Sequence, residues 1–214
     1  MVVMSRERYR SGTSTIRRSR RRRRFDRSAA GRVHQEDFSQ ALGASGDQKY
    51  QEYGGLVSLR RIADTLQRTT RSSDLVSLAR MIVLAVAIGN LDMHAKNLGI
   101  LHPLDDEPRL APAYDVVPQS HLPGIDGKMA LAVNGTYRHA ALDASDVEAE
   151  ISTWGVRRAD RIVEDCLAEI AEVVAEETPL PGAHPALQDD IATFTKNLRE
   201  ARPVGRPGSP GVTG

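Results

Sequence analysis

The chain has 214 residues, a hydrophobic fraction of 40% and a formal net charge of +1. That length suits one domain with a real hydrophobic core plus tails. The longest apolar run, Met81–Gly89, falls well short of the roughly 18 residues of a membrane span, and the opening residues carry no signal-peptide pattern.

A single cysteine, Cys166, rules out an internal disulfide framework, fits a reducing cytoplasm and reads as a core residue. The charge is sharply divided. Residues 1–27 hold eleven arginines against Glu7 and Asp26, a net of +9, so the remainder sums to −8. An acidic body is not a nucleic-acid binder by charge. Residues 1–23 lack apolar periodicity and run into Arg24, so they are expected to be disordered. They read as a solvated tail or a wrongly read start of a longer gene, with nucleic-acid or anionic-membrane binding as the alternative.

His34–Phe38 is expected to open a short helix toward Leu42, stopped by Gly43. Gly54–Gly55 reads as a turn. Leu56, Leu59, Ile62, Ala63 and Leu66 recur at spacings of three and four, one face of an amphipathic helix. A second helix runs from Leu75 to about Ile88, with Ser73 or Asp74 as its N-cap and Gly89 as its stop. It is apolar nearly all round, which places it in a core. Leu98–Leu101 suits a strand, Pro103–Pro108 a turn and Arg109–Ala111 the return strand of a hairpin. Met129–Val133 reads as another strand, closed by Asn134–Gly135. Three helices follow: one from Asp143 or Ser145 through Trp154, one over 159–176 with Ile162, Cys166, Ile170 and Val173 or Val174 inward, and one over about 185–199. Residues 203–214 are expected to be disordered.

The chemistry concentrates in Asn90–Asn97. A loop directly after a buried helix holds Asp92, His94, Lys96 and Asn97. Phosphoryl transfer needs a carboxylate for the attacking hydroxyl, an oxygen ligand for magnesium and donors facing the phosphates. Asp92 and Asn97 have the Asp-x-x-x-x-Asn spacing of a protein-kinase catalytic loop. That spacing alone is weak, because both residues are common in loops. Ala111–Asp115 then places a second acid one hairpin later, where kinases hold their main magnesium-binding aspartate. A metalloprotease is excluded, since His94 and His102 form no helical His-Glu-x-x-His pair, and one cysteine with scattered histidines makes no zinc site.

In this order the blocks Arg24–Arg27, Arg32–Gly43, Lys49–Tyr50 with Gly54–Gly55, Ile88–Asn97 and Leu110–Asp115 resemble the C-terminal domain of HipA-family toxin kinases. The resemblance covers roughly residues 24–200. It implies a mainly α, protein-kinase-like C-lobe with a short β-hairpin, occupying residues 24–202 between a basic segment (1–23) and a tail (203–214). It implies a serine/threonine kinase of a toxin–antitoxin pair, acting in the cytoplasm with Mg2+ and ATP on a protein substrate. Residue by residue, Asp92 matches the family's catalytic base, and Asn97 and Asp115 match its magnesium ligands. His94, Ala95 and Lys96 match the stretch that contacts the nucleotide phosphates. Tyr114 sits beside the metal acid, and Phe25 falls where the family's hinge lies against adenine.

Family members are about twice this length. Their phosphate-covering loop, strand lysine and regulatory serine have no counterpart in residues 1–23, and Arg23 stands where an acid is common. Loss of one charge contact of this kind costs about 3 kcal/mol. Weak catalysis or none is therefore expected from the chain alone, unless a separately encoded N-lobe completes it. The alternative is a catalytically dead module that binds a partner such as a HipB-like, DNA-binding antitoxin.

Overall fold

Nine of the sixteen residues of helix α3 (Ser73–Ile88) are buried, and they lie on more than one side of it. A helix that apolar is stable only when other elements surround it. Helices α5 (Ala159–Glu176) and α6 (Leu187–Arg199) cover one flank, while α2 (Leu59–Thr69) and α4 (Ala144–Thr153) reach it from another. The computed structural model describes residues 24–28, 31–44, 55 and 57–206. The readings made of residues 1–23, of Lys49–Tyr50, Gly54 and Leu56, and of residues 207–214 fall outside that set.

The expected mainly helical architecture with a short β-hairpin forms, and further small antiparallel sheets accompany it. Strands β1 (Arg27–Ser28) and β2 (Gly31–Arg32) make a two-stranded ribbon. Strands β3 (His34–Asp37), β4 (Gly99–His102) and β5 (Arg109–Leu110) form a three-stranded sheet in that order. Strands β6 (Lys128–Val133) and β7 (Thr136–Arg138) close a hairpin through Asn134–Gly135.

Four expectations need correction. His34–Asp37 is a strand and not the start of a helix. It pairs with β4 in the register Gln35↔Leu101 and Glu36↔Ile100, so backbone pairing supplied by a distant segment overrides local propensity. The helix α1 begins only at Phe38 and ends at Ala41. Asp37 caps it in a reciprocal box, its Oδ1 accepting the Gln40 N–H at 2.9 Å while Gln40 Oε1 accepts the Asp37 N–H at 3.1 Å.

Neither Ser73 nor Asp74 caps α3. The cap position is Ser72, without a side-chain hydrogen bond. Asp74 instead accepts the Leu110 N–H on Oδ2 at 2.9 Å, which fastens β5 to the start of the buried helix. The inward stripe of α5 is Ala159, Val163, Cys166 and Leu167. Ile162 and Ile170 are only partly buried, and Val173 is exposed. Ile162 and Ile170 still pack against the core, so the expected stripe is widened toward Val163 and Leu167 and fails at Val173, near the end of the helix. Cys166 is a core residue as read, and burial pushes its thiol up to about 11. Finally, Pro203–Arg206 is held to the body. Val204 is fully buried, its N–H donates to the Leu142 carbonyl at 2.8 Å, and its own carbonyl accepts Asn197 Nδ2 at 2.9 Å.

The end of α3 is locked by a histidine that periodicity does not reveal. His139 is 3% exposed, its Nε2 lies 2.7 Å from the Val86 carbonyl oxygen, and its ring meets Phe194 edge-on. The Nε2–H form donates there. Burial holds the imidazole below its ordinary pKa of 6.5, opposed by the bond to Val86. An unfolded chain therefore binds more protons than the folded one as pH falls below about 6.5, so this contribution is whole above that pH and lost beneath it. Unfolding free energy should fall between pH 7.5 and 5.5 in denaturant titrations. In His139→Leu, the fall should be smaller, and the protein should be about 1–3 kcal/mol less stable at pH 7.5.

Candidate active site

Helix α3 stops at Gly89, whose φ of 67° and ψ of 39° put it in the left-handed region where a side chain is strained. The Asn90 N–H turns back to the Ala85 carbonyl at 2.9 Å, and the chain enters the Asn90–Asn97 loop. That loop wraps around one carbonyl. The oxygen of Asp92 accepts the His94 N–H at 2.8 Å and Asn97 Nδ2 at 2.8 Å, and the Asn97 N–H donates to the His94 carbonyl at 2.9 Å, completing a 3-10 turn over Ala95–Asn97.

This backbone arrangement sorts the side chains. The Asp92 carboxylate is left 42% exposed, able to meet a hydroxyl from outside, with His94 Nε2 at 3.7 Å from its Oδ1. Asn97 is buried and its amide nitrogen is committed to the Asp92 carbonyl, so the amide oxygen is the end left for a cation. Ala95 is fully buried, so the structure leaves none of its surface open to a phosphate. Lys96 is exposed.

Two further segments close on the loop. The Tyr114 hydroxyl donates to the Lys96 carbonyl at 2.7 Å. Its ring stacks on Phe25, with centroids 5.8 Å apart and planes at 26°. Burial pushes the phenol up to about 12, helped by the negative charges of Asp37 and Asp115 and opposed by a hydrogen bond from Gln35. Asp115 is exposed and its φ is 53°, a left-handed value that a non-glycine residue adopts at a cost. The structure thus brings Phe25, Tyr114, Lys96 and the Asp92–Asn97 loop into one place. Asp115 stands between Tyr114 and Val116, which line a small cleft together with Asn97.

Among the described residues, no three His, Cys, Asp or Glu side chains form a metal cluster. A donor set of one amide oxygen and one carboxylate suits magnesium, which keeps several waters and takes the rest of its shell from phosphates. Asn97 and Asp115 fit such an ion.

Several contributing residues escape sequence reasoning. Gln35 and Asp37 act on Tyr114 only because β3 is a strand. Gly99 allows that closeness. A Cβ there would stand 3.0 Å from the Glu36 carbonyl, 3.2 Å from Gln35 Nε2 and 3.3 Å from the Tyr114 hydroxyl. The segment after Asp115 also returns to the base of the loop, where the Gly89 carbonyl accepts the N–H groups of Gln119 and Ser120 at 2.8 and 3.2 Å. The Ala130 N–H donates to the Leu91 carbonyl at 2.8 Å, tying β6 to the same loop. Backbone bonds of this kind leave no signature in residue type.

The family described as HipA-like C-terminal domain matches residues 13–176. Among curated proteins, the chain is 37% identical over 127 residues to Putative kinase Y4dM of Sinorhizobium fredii, covering 58% of this chain and 30% of that one. It is 30% identical over 157 residues to Putative kinase Y4mE of the same organism, covering 70% and 37%. A Putative kinase of Haemophilus influenzae is 32% identical over 117 residues, covering 51% and 34%. The chain thus spans about a third of the length of these relatives. A solved structure, the Shewanella oneidensis MR-1 toxin–antitoxin system HipA, HipB and its operator DNA complex, contains a chain that superposes with a TM-score of 0.67. The identity is 20%, covering 83% of this chain and 49% of that one. That likeness is one of fold, a mainly helical kinase-like lobe.

Gly89→Ala tests the junction between helix and loop. The new Cβ would lie 2.3 Å from Ser120 Oγ on a backbone at positive φ. Chemical denaturation should show a loss of about 1–3 kcal/mol.

Proposed function

The chain belongs to the family of HipA-like C-terminal domains, and on that premise we propose that it is the catalytic lobe of a serine/threonine protein kinase of a toxin–antitoxin pair. The observation that carries this reading is the division of labour within the Asp92–Asn97 loop. One acid is presented to solvent while the asparagine five residues on is buried, with its amide nitrogen tied to the acid's own carbonyl.

In this reading, the Asp92 carboxylate accepts the proton of a serine or threonine hydroxyl on a protein substrate as that oxygen bonds to the γ-phosphorus of ATP and the bond to the β,γ-bridging oxygen breaks, releasing ADP. Asn97 and Asp115 would hold magnesium, which would supply electrostatic stabilisation of the phosphate charge. Lys96, exposed on the 3-10 turn, and His94 face the phosphates. Phe25 and Tyr114 offer aromatic surface to the adenine. Tyr114 stays a neutral phenol across the physiological range, so its hydroxyl remains a donor to the Lys96 carbonyl. A separately encoded N-lobe would be the partner that covers the nucleotide. A HipB-like antitoxin is the partner this assignment calls for, because the solved relative of the same fold is described in complex with HipB and operator DNA. The compartment proposed is the cytoplasm.

Titration calorimetry with Mg2+ and ATP should show metal-dependent binding that Asp115→Ala weakens at least tenfold. Asp92→Asn should keep the fold and the nucleotide affinity while lowering phosphate transfer by about two orders of magnitude or more. Equal transfer by Asp92→Asn would remove Asp92 from the chemistry. Binding of a HipB-like partner with no nucleotide bound under any condition would favour a docking module without catalysis.

A further inference from the structure

One polar group at the site has no assigned task. Asn90, the first residue after the glycine that ends α3, is 3% exposed, and its Oδ1 is buried without a hydrogen-bond partner among the described residues. It forms part of the wall of the cleft beneath the loop, beside Met93, Asn97, Tyr114 and Val116. A buried carbonyl left unpaired is costly, and native proteins rarely keep one without a use. The polar neighbours are already engaged. Asn97 Nδ2 is held by the Asp92 carbonyl, and the Tyr114 hydroxyl by the Lys96 carbonyl. The cleft's remaining walls are apolar, from Met81, Ala85 and Ala113. The stretch 113–116, which carries Asp115 in its left-handed conformation, contributes Ala113, Tyr114 and Val116 to the lining of the same cleft. The cleft has room for one water molecule, and a water in such a place needs two or more polar partners.

We infer that Asn90 is a positioning residue: its side-chain carbonyl binds one buried water that hydrogen-bonds the backbone of residues 113–116 and so seats Asp115 against the Asp92–Asn97 loop. This inference rests on the proposed function only in taking Asp115 as the metal acid. The hydrogen bond itself is a statement about the uncomplexed protein. It explains why a polar side chain occupies a cleft whose other walls are mostly apolar. It also gives the strained Asp115 backbone a restraint from below, in addition to the Tyr114 hydrogen bond on one side and the Gln119 and Ser120 bonds to Gly89 on the other.

Asn90→Leu is the informative substitution, because leucine fills similar space and removes the polar group. If the carbonyl is a true orphan, leucine should raise the melting temperature and leave local dynamics unchanged. Hydrogen–deuterium exchange read by mass spectrometry on the full chain, without nucleotide, separates the two cases. The expected result is amide exchange at least tenfold faster over residues 113–120 in Asn90→Leu and Asn90→Ala, with α5 unchanged. Asn90→Asp, which keeps an acceptor in place, should stay near the wild type. Unchanged exchange over 113–120 in the leucine and alanine variants overturns the inference, and so does an equal rise throughout α5. A Mg2+–ATP titration run beside it tells the two claims apart. If the wild type binds no nucleotide while the exchange result holds, the kinase reading fails and the role of Asn90 stands.

Discussion

The chemistry of this molecule depends on how one apolar helix ends. Helix α3 is surrounded on several sides, so its last turn is fixed by the core and not by solvent. Gly89 converts that rigid end into a loop. It supplies a left-handed backbone, leaves the space that Ser120 fills, and offers a carbonyl to two amides from the segment following Asp115. His139 holds the Val86 carbonyl one turn earlier. Both candidate acids are thereby referred to the same rigid origin. Asp92 lies three residues beyond Gly89, and Asp115 lies four residues before the first amide that bonds back to it. Positioning of this kind suits a reaction in which the protein contributes mainly geometry and electrostatics.

The charge arrangement follows the same logic. Asp92 and Asp115 lie on separate segments, joined through Tyr114, whose hydroxyl donates to the Lys96 carbonyl. The phenol is half-buried and lies near Asp37 and Asp115, and both raise its pKa. A donor that does not ionise can hold a carbonyl through any physiological pH. A lysine or histidine in the same place would add a charge to a site where cations are expected to arrive with the nucleotide.

Much of this was legible in the sequence, for reasons that differ by element. Helix α3 and its glycine stop were visible because a run of buried apolar residues ending in Gly is both a packing pattern and a backbone requirement. The pairing of Asp92 with Asn97 was visible because a five-residue spacing sits inside one turn-sized loop, where sequence distance approximates spatial distance. The capping of α4 by Asp143 was visible for the same local reason. What escaped depends on contacts between distant segments. His34–Asp37 has polar residues that fit a helix start, and only β4, more than sixty residues later, makes it a strand. Asp74 looks like a cap, but the Leu110 amide competes for it and wins. The role of Gly99 depends on what stands opposite its missing Cβ, and Val204 is buried by the Leu142 and Asn197 bonds rather than by any local pattern.

The bond from Tyr114 reaches the carbonyl of residue 96 and not its ammonium group. A main-chain acceptor is the same whatever amino acid occupies the position. The clasp that shapes the loop is therefore insulated from the side chain that points outward from it. A change of side chain at position 96 leaves that acceptor in place. In evolutionary terms, the scaffold and the tuning element share one residue yet are separately adjustable.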